Sequence, residues 1–388
     1  MRFLLATERL VVGGRCYAGF PLLLDDQCRA MQPAQSFLWW LLGRGGRTDS
    51  KSTWESYGRA MYDYFAFLGR NGIKWDAPQP VGLSSPIVAY RDWSKGVLKL
   101  DSSTINSRLR VVVRFYQWAK KTGLIAEVPF DYIAVQTRRQ PGFLAHTDAS
   151  GGIVQSPDIL LREKQQQIKF LIKEQIVVCY SVLKNTTHRL MFELMVRTGL
   201  RQIECRTFPE KYVFDPSRRK DLTPGQKIRV RLDPRDMSIK FNKPRDIDVP
   251  YGLMQDLWDY SVRHRQKRER NEPNGNKHSV LFLTEGGCIY SEEALTQIYR
   301  ALTAKVRFDV RPHMLRHSYA TYLLWSLRKS PEFEGEPLLY VRDRMGHADV
   351  STTVIYLHLV NSLEGHVVLA HEDEIDQLFS KGVPRDAS

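Results

Sequence analysis

The sequence predicts a mainly α protein with a small β-sheet, arranged as two domains joined by a linker. Three observations lead there. Apolar residues recur at helical spacing in long windows in both halves of the chain. Short alternating runs, KIRVRL from Lys227, MSIKF from Met237 and RDIDVP from Arg245, interrupt that pattern as strands. Residues 126–165 lose periodicity and gather Pro129, Pro141, Gly151, Gly152 and Pro157, the composition of an interdomain segment.

A chain of 388 residues is long enough for two domains, each with its own core. Its formal charge of +14 favours a polyanionic partner, nucleic acid first and an acidic membrane surface second. No stretch of about 18 apolar residues occurs, so a membrane span is not expected. The opening MRFLLATERLVV carries Glu8 and Arg9 within its apolar run and lacks a signal-peptide pattern. Cys16, Cys28, Cys179, Cys205 and Cys288 are odd in number, widely spaced and without a CxxC. That usage suits a reducing, cytoplasmic compartment and offers neither a disulfide frame nor a cysteine zinc site.

Residues 1–47 read as an N-terminal arm or hairpin around Gly13-Gly14, followed by a short helix from Gln35 to Leu42. The GRGGRTDS loop from Gly43 lacks the G-K-[ST] ending of a phosphate cradle. A helical domain follows over 48–125. Its first helix places Trp54, Tyr57, Met61, Tyr64, Phe65 and Leu68 on one face, and a second runs from about Ile87 to Lys95. The third has Ile105, Leu109, Val112 and Tyr116 as its buried stripe. Arg108, Arg110, Arg114, Lys120 and Lys121 lie off that stripe, and the charge of the whole chain favours phosphate contacts for them.

The domain over 166–388 opens with helices around Ile176–Leu183 and Leu190–Val196, the latter ended by Thr198-Gly199. Arg201 starts another, with Glu204 one turn on. The strands follow, then a helix from Leu253 to about Arg270, a strand SVLFLT from Ser279, and a helix from Glu292 to Lys305. The remaining stretch gathers His313, Arg316, His317, His347 and Tyr356 among apolar residues at helical spacing. His313 and Arg316 are three apart and share a helix face. Gly346 ends a short helix from Leu338, and Asp349 is suited to capping the helix that presents Tyr356. Two imidazoles, a guanidinium and a phenol from neighbouring helices make a site for an anion and a nucleophile.

Each residue alone has an ordinary structural explanation, as a cap, a half-buried polar group or a core aromatic. His313 and His317 have the spacing of a zinc pair, but Met314 stands where HExxH needs its glutamate. His358, His366 and His371 have no acidic or cysteine partners at a metal-binding spacing. No metal or cofactor is expected.

The ordered set resembles the tyrosine recombinase (phage integrase) family. The resemblance rests on H-x-x-R from His313 to Arg316, G-H at Gly346-His347, T-x-x-Y from Thr353 to Tyr356, and T-G-L-R-x-x-E from Thr198 to Glu204. It spans roughly residues 50–360 and implies a SAM-like helical core-binding domain ahead of the catalytic domain. IKFNKPR, from Ile239 to Arg245, is similar to the family's lysine hairpin G-K-G-x-K-x-R. That alignment makes Lys240 the catalytic lysine, with Lys243 open as the alternative because Ile239 and Phe241 replace the usual glycines. Lys243 and Arg245 are further candidates for DNA contact.

The resemblance implies a DNA recombinase in which Arg201 and Arg316 grip the non-bridging oxygens of a phosphodiester. His347 would donate to the same oxygens, and His313 would take the phenol proton or hold the phosphate. Tyr356 would attack, a lysine would protonate the leaving oxygen, and Glu204 would orient Arg201 or another site residue. Double-stranded DNA and a homotetramer on paired sites are the implied partners. A type IB topoisomerase and a non-catalytic DNA-binding regulator are the rival readings. Residues 361–379 are expected to form one more helix, docked in cis or on a neighbouring subunit.

Overall fold

The computed structural model describes residues 1–43, 50–77, 84–136, 153–163, 168–347 and 350–363. The chain divides into two units, Met1–Gln166 and Gln167–Ser388. Both are mainly helical, and the sheets among the described residues are short and two-stranded.

In the first unit β1 (Arg2–Leu5) pairs antiparallel with β4 (Pro21–Leu24), and β2 (Val11–Val12) with β3 (Arg15–Cys16). Gly13 and Gly14, at φ +57° and +77°, form the two-residue turn between β2 and β3. Helices α1 (Ala34–Leu38), α2 (Lys51–Arg70), α3 (Pro86–Gly96) and α4 (Ser102–Lys121) follow. The α2 stripe of Trp54, Met61, Tyr64, Phe65 and Leu68 is buried, as is the α4 stripe of Ile105, Leu109, Val112 and Tyr116. The hydroxyls of Tyr64 and Tyr116 meet at 2.6 Å, and Tyr116 donates to the Trp75 carbonyl at 2.8 Å. Neither buried phenol is left unpaired.

The N-terminal strands are not a detached arm. Phe20 and Leu23 are buried in the same core as α2 and α4. A Cβ on Gly58 of α2 would lie 2.3 Å from Pro21, so strand and helix approach at glycine distance. The stretch read as linker also holds structure. There β5 (Tyr132–Gln136) pairs antiparallel with β6 (Ile153–Pro157), and Ile159 is buried in the core. Tyr132, Ile133, Val135 and Val154 are all exposed, so the ribbon has no inward face to print an alternating pattern on the sequence.

The second unit runs α5 (Lys173–Val182), α6 (Thr186–Thr198), α7 (Gln202–Arg206), β7 (Lys227–Leu232), β8 (Arg245–Pro250) and α8 (Tyr251–Tyr260). After one wider turn come α9 (Gln266–Glu269), α10 (Glu292–Val306), α11 (Pro312–Lys329), α12 (Pro337–Met345) and α13 (Ser351–Leu363). Asn185 caps α6 by accepting from the backbone N–H groups of Thr187 and His188. β7 and β8 pair antiparallel from Lys227↔Pro250 to Leu232↔Arg245, with Ile228, Val230 and Leu232 inward and the basic residues between them outward.

Two expected strands differ. Met237 and Ile239 are buried, but MSIKF finds no partner strand and closes into a tight helical turn over Lys240–Asn242. Phe241 and Asn242 there are left-handed, at φ +64° and +50°. SVLFLT makes isolated bridges, Pro209↔Val280 and Leu283↔Ile289, rather than a full strand. α11, α12 and α13 enclose a small core of Tyr319, Ala320, Leu324, Trp325, Val341, Met345, Tyr356 and Val360. That packing seats α13 on α11. Asp349 and residues 364–388 lie outside the described residues, and with them the expected cap and most of the expected tail helix. Among the described residues no helix is long and apolar enough to cross a membrane.

Candidate active site

The site begins at the turn that ends α6. Gly199 is left-handed at φ +68°, and a Cβ there would meet the Tyr319 ring at 2.4 Å. Only glycine fits both the backbone and the space. The turn delivers Arg201 to the start of α7. Its carbonyl at Gly199 accepts a hydrogen bond from Nη1 of Arg316, and Nη2 of Arg316 donates to the carbonyl of Met345, the last residue of α12. Arg316, on α11, is only 3% exposed. Burial, reinforced by the charges of Arg201 and Arg245, brings its pKa down to about 9. It remains a cation at neutral pH.

Glu204 lies beneath these arginines, fully buried. Its carboxylate accepts from the backbone N–H of Arg201 at 2.7 Å and from Nη1 of Arg201 at 3.0 Å. It also accepts both Nη groups of Arg245, at 2.7 and 2.6 Å. Burial works against its charge, but the hydrogen bonds and charge of Arg245, joined by Arg201, leave its pKa at about 2. Arg245 is 5% exposed, and its Nε donates to the Arg344 carbonyl at 3.1 Å. Arg245, expected as a DNA contact, is placed inside the protein with both arms of its fork on Glu204. The alternation of β8 could have shown this, because Arg245 shares the inward face with Ile247 and Val249.

The phenol of Tyr356 is 1% exposed, and its hydroxyl lies 2.9 Å from Nδ1 of His317. His347 stacks on the Tyr356 ring at 6.3 Å and 11°, with its own Nδ1 3.0 Å from the Thr353 hydroxyl. His313, the most open of the three imidazoles, lies against His317 with ring centroids 5.2 Å apart. Burial, with nearby cations, lowers all three: His317 to about 4, His347 to about 3, and His313 below its ordinary value. Burial pushes Tyr356 the other way, to about 12, against the pull of Arg316 and Arg201. The resting site therefore holds neutral imidazoles, a protonated phenol and fixed guanidinium charges.

Lys240 and Lys243 are both exposed on the β7–β8 connection. Lys240 Nζ lies 5.0 Å from the centre of the Phe241 ring, and its charge acts on His313. On α4, Arg108 pairs with Asp63 at 2.8 Å and Arg110 with Glu163 at 2.9 Å. Nη1 of Arg114 donates to the Tyr57 hydroxyl at 2.8 Å. Lys120 and Lys121 are exposed in the last turn. Among the described residues no three His, Cys, Asp or Glu side chains form a metal-holding group.

A sequence model of the phage integrase family matches residues 169–362, half of the chain. The tyrosine recombinase XerD of Oceanobacillus iheyensis is 34% identical over 326 residues, covering 81% of this chain and 89% of its own. The chain belongs to the phage integrase family of tyrosine recombinases. Transposase A from transposon Tn554 of Staphylococcus aureus is 24% identical to this recombinase over 371 residues, 91% of this chain and 94% of that one. Among solved structures, the Tn1549 transposon integrase in complex with a circular intermediate DNA matches with a TM-score of 0.55 at 17% identity. It covers 90% of this chain and 98% of that one. XerH bound to a palindromic difH substrate matches with a TM-score of 0.53 at 16% identity, covering 86% and 82%. These two likenesses show the recombinase fold.

The architecture brings Arg201, Arg316, His313, His347 and Tyr356 together and adds His317, to which sequence reasoning gave no role. Its signal was present but silent: His317 follows Arg316 and is one turn from His313, so only the placement of α13 reveals what it faces. Such a site can grip an anion with guanidinium groups while a phenol and an imidazole share a proton beside it.

Proposed function

We propose that this recombinase cuts and rejoins double-stranded DNA through a covalent 3′-phosphotyrosyl intermediate on Tyr356. The observation that carries this reading is the seat of the phenol. Its hydroxyl is held against an imidazole, and Arg316 and Arg201 are close enough for their charges to act on it. Attack on a phosphodiester builds negative charge on the equatorial oxygens, and preplaced cations stabilise that charge most. Arg201 and Arg316 take that task, and His347 donates beside them. The Tyr356 oxygen bonds to phosphorus as its proton leaves, and the bond to the 5′ oxygen breaks. Lys240 supplies a proton to that oxygen. A 5′-hydroxyl from a partner strand then returns its proton to Lys240 and displaces Tyr356, which regains the proton it lost, and the site is back in its starting state. The phosphotyrosine bond retains the energy of the bond it replaced, so the cycle calls for no nucleotide and no cofactor.

The names of the relatives support a role in transposing or recombining DNA, and the DNA-bound neighbours support a duplex substrate. Two rounds of exchange at paired sites require four tyrosines, which favours a tetramer on DNA. On a nicked substrate that traps the intermediate, the wild-type chain should give a protein–DNA adduct that survives denaturant. Tyr356→Phe should bind the same DNA and give none. An adduct formed by that variant would overturn the assignment, and transfer between two labelled duplexes separates recombination from simple resealing.

A further inference from the structure

Resting on that reading, we propose that His317 is the base that takes the Tyr356 proton during attack and returns it during religation. Proton acceptance needs contact within hydrogen-bond reach, and geometry comes before acidity in identifying the acceptor. His317 meets that requirement: its Nδ1 is 2.9 Å from the Tyr356 hydroxyl, with the two rings 5.8 Å apart. The other imidazoles are differently engaged. His347 offers Tyr356 the face of its ring and turns its Nδ1 to Thr353. His313 packs on His317, one turn away along the same helix.

The neutral state of His317 fits this work. Burial first, then His313 and Arg316 on its own helix, hold its pKa at about 4, so a lone pair is available at neutral pH. Tyr356 faces it from α13, while Arg201 and His347 reach the phenol from the other walls. In the forward step the Tyr356 oxygen bonds to phosphorus and its proton passes to Nδ1, giving an imidazolium. The P–O5′ bond breaks, and the departing oxygen is protonated by a separate acid. In the reverse step a 5′-hydroxyl attacks and returns its proton to the conjugate base of that acid, Tyr356 leaves as phenolate, and Nδ1 gives the phenol proton back. Nothing is consumed. The phosphodiester's negative charge stabilises the imidazolium while it exists.

The test uses the full chain and the nicked trapping substrate, with single-turnover adduct rates measured from pH 6 to 9. His317→Ala should slow adduct formation about 100-fold or more, the usual scale of a lost general base. Its rate should then climb with pH where the wild-type rate is level. Placing 3,5-difluorotyrosine at position 356, a more acidic phenol, should recover about tenfold in His317→Ala and change the wild-type background much less. His317→Asn can still hydrogen-bond the hydroxyl but cannot carry its proton, so it should remain as slow as His317→Ala. DNA binding by gel shift confirms that each variant is folded. Near-normal rates in His317→Asn would make the residue a positioning group and overturn the proposal. So would a normal rate in His317→Ala, or fluorotyrosine rescue of His313→Ala in its place. A wild-type chain that forms no adduct defeats the phosphotyrosine reading itself, whereas normal adducts from the His317 variants defeat only this assignment.

Discussion

Glu204 and Arg245, 41 residues apart in sequence, form a two-armed ion pair at 2.6 and 2.7 Å in the interior of the catalytic unit. The same carboxylate holds the backbone and side chain of Arg201. One buried anion thus locks two arginines, of which only Arg201 keeps a solvent-facing edge, at 15% exposure.

Arg245→Ala would strand that carboxylate without its strongest partner. The expected cost is about 3–5 kcal/mol, the range for breaking a buried pair from one side. Urea unfolding of the full chain would measure it. The salt dependence of DNA affinity for the folded fraction should not change, because both arms of the Arg245 fork are held by Glu204. A lower salt slope with unchanged stability would reverse this assignment.

Acid should weaken the free protein in two stages. His317 and His347 titrate near 4 and 3 when folded, against about 6.5 when unfolded. Over that interval the unfolded chain binds more protons, so stability is full above pH 6.5 and declines as pH falls. Glu204 adds a second loss below about pH 4, completed near its folded value of about 2. A bound phosphodiester brings negative charge to the imidazoles and raises their proton affinity. DNA binding at pH 5.5 should therefore take up protons, read by calorimetry in buffers of different ionisation enthalpy. Net release would contradict this electrostatic picture.

Lys240→Ala should form adduct slowly on ordinary DNA and recover on a 5′-bridging phosphorothiolate, whose leaving group needs little protonation. The expected loss on ordinary DNA is about 100-fold or more, the scale for a general acid. Lys243→Ala should lose less and show no such recovery. The opposite pattern would give the role to Lys243.

In the first unit, Lys120 and Lys121 differ from Arg108 and Arg110 on α4 in being exposed without an acidic partner among the ion pairs of the described residues. If they neutralise phosphates, each alanine substitution should lower the slope of log affinity against log salt by about 1. Arg110→Ala should change the slope less, since its charge is already shared with Glu163.

Helices α2 and α4 were legible because each buries one stripe. Trp54 to Leu68 and Ile105 to Tyr116 print their packing directly on the sequence. The β5–β6 ribbon was not legible, because its apolar residues face water and no burial period marks it. Within the site, residues fixed by short-range spacing were readable: Gly199 with Arg201, His313 with Arg316, Gly346 with His347. Contacts across the fold were not. Nothing local tells His317 that it will meet Tyr356, 39 residues later, since that depends on how α13 closes over α11.

Gly199 has a wider consequence. Its backbone gives Arg316 a carbonyl to hold, and the same turn places Arg201 two residues on. The distance between the two guanidinium forks is therefore a property of one turn rather than of two independent side chains. Alanine at 199 would press a methyl into Tyr319 and strain a left-handed backbone. Both forks would shift at once. A variant library that varies Arg201 and Arg316 while leaving this turn intact changes the two side chains, but not the spacing of the backbone that carries them.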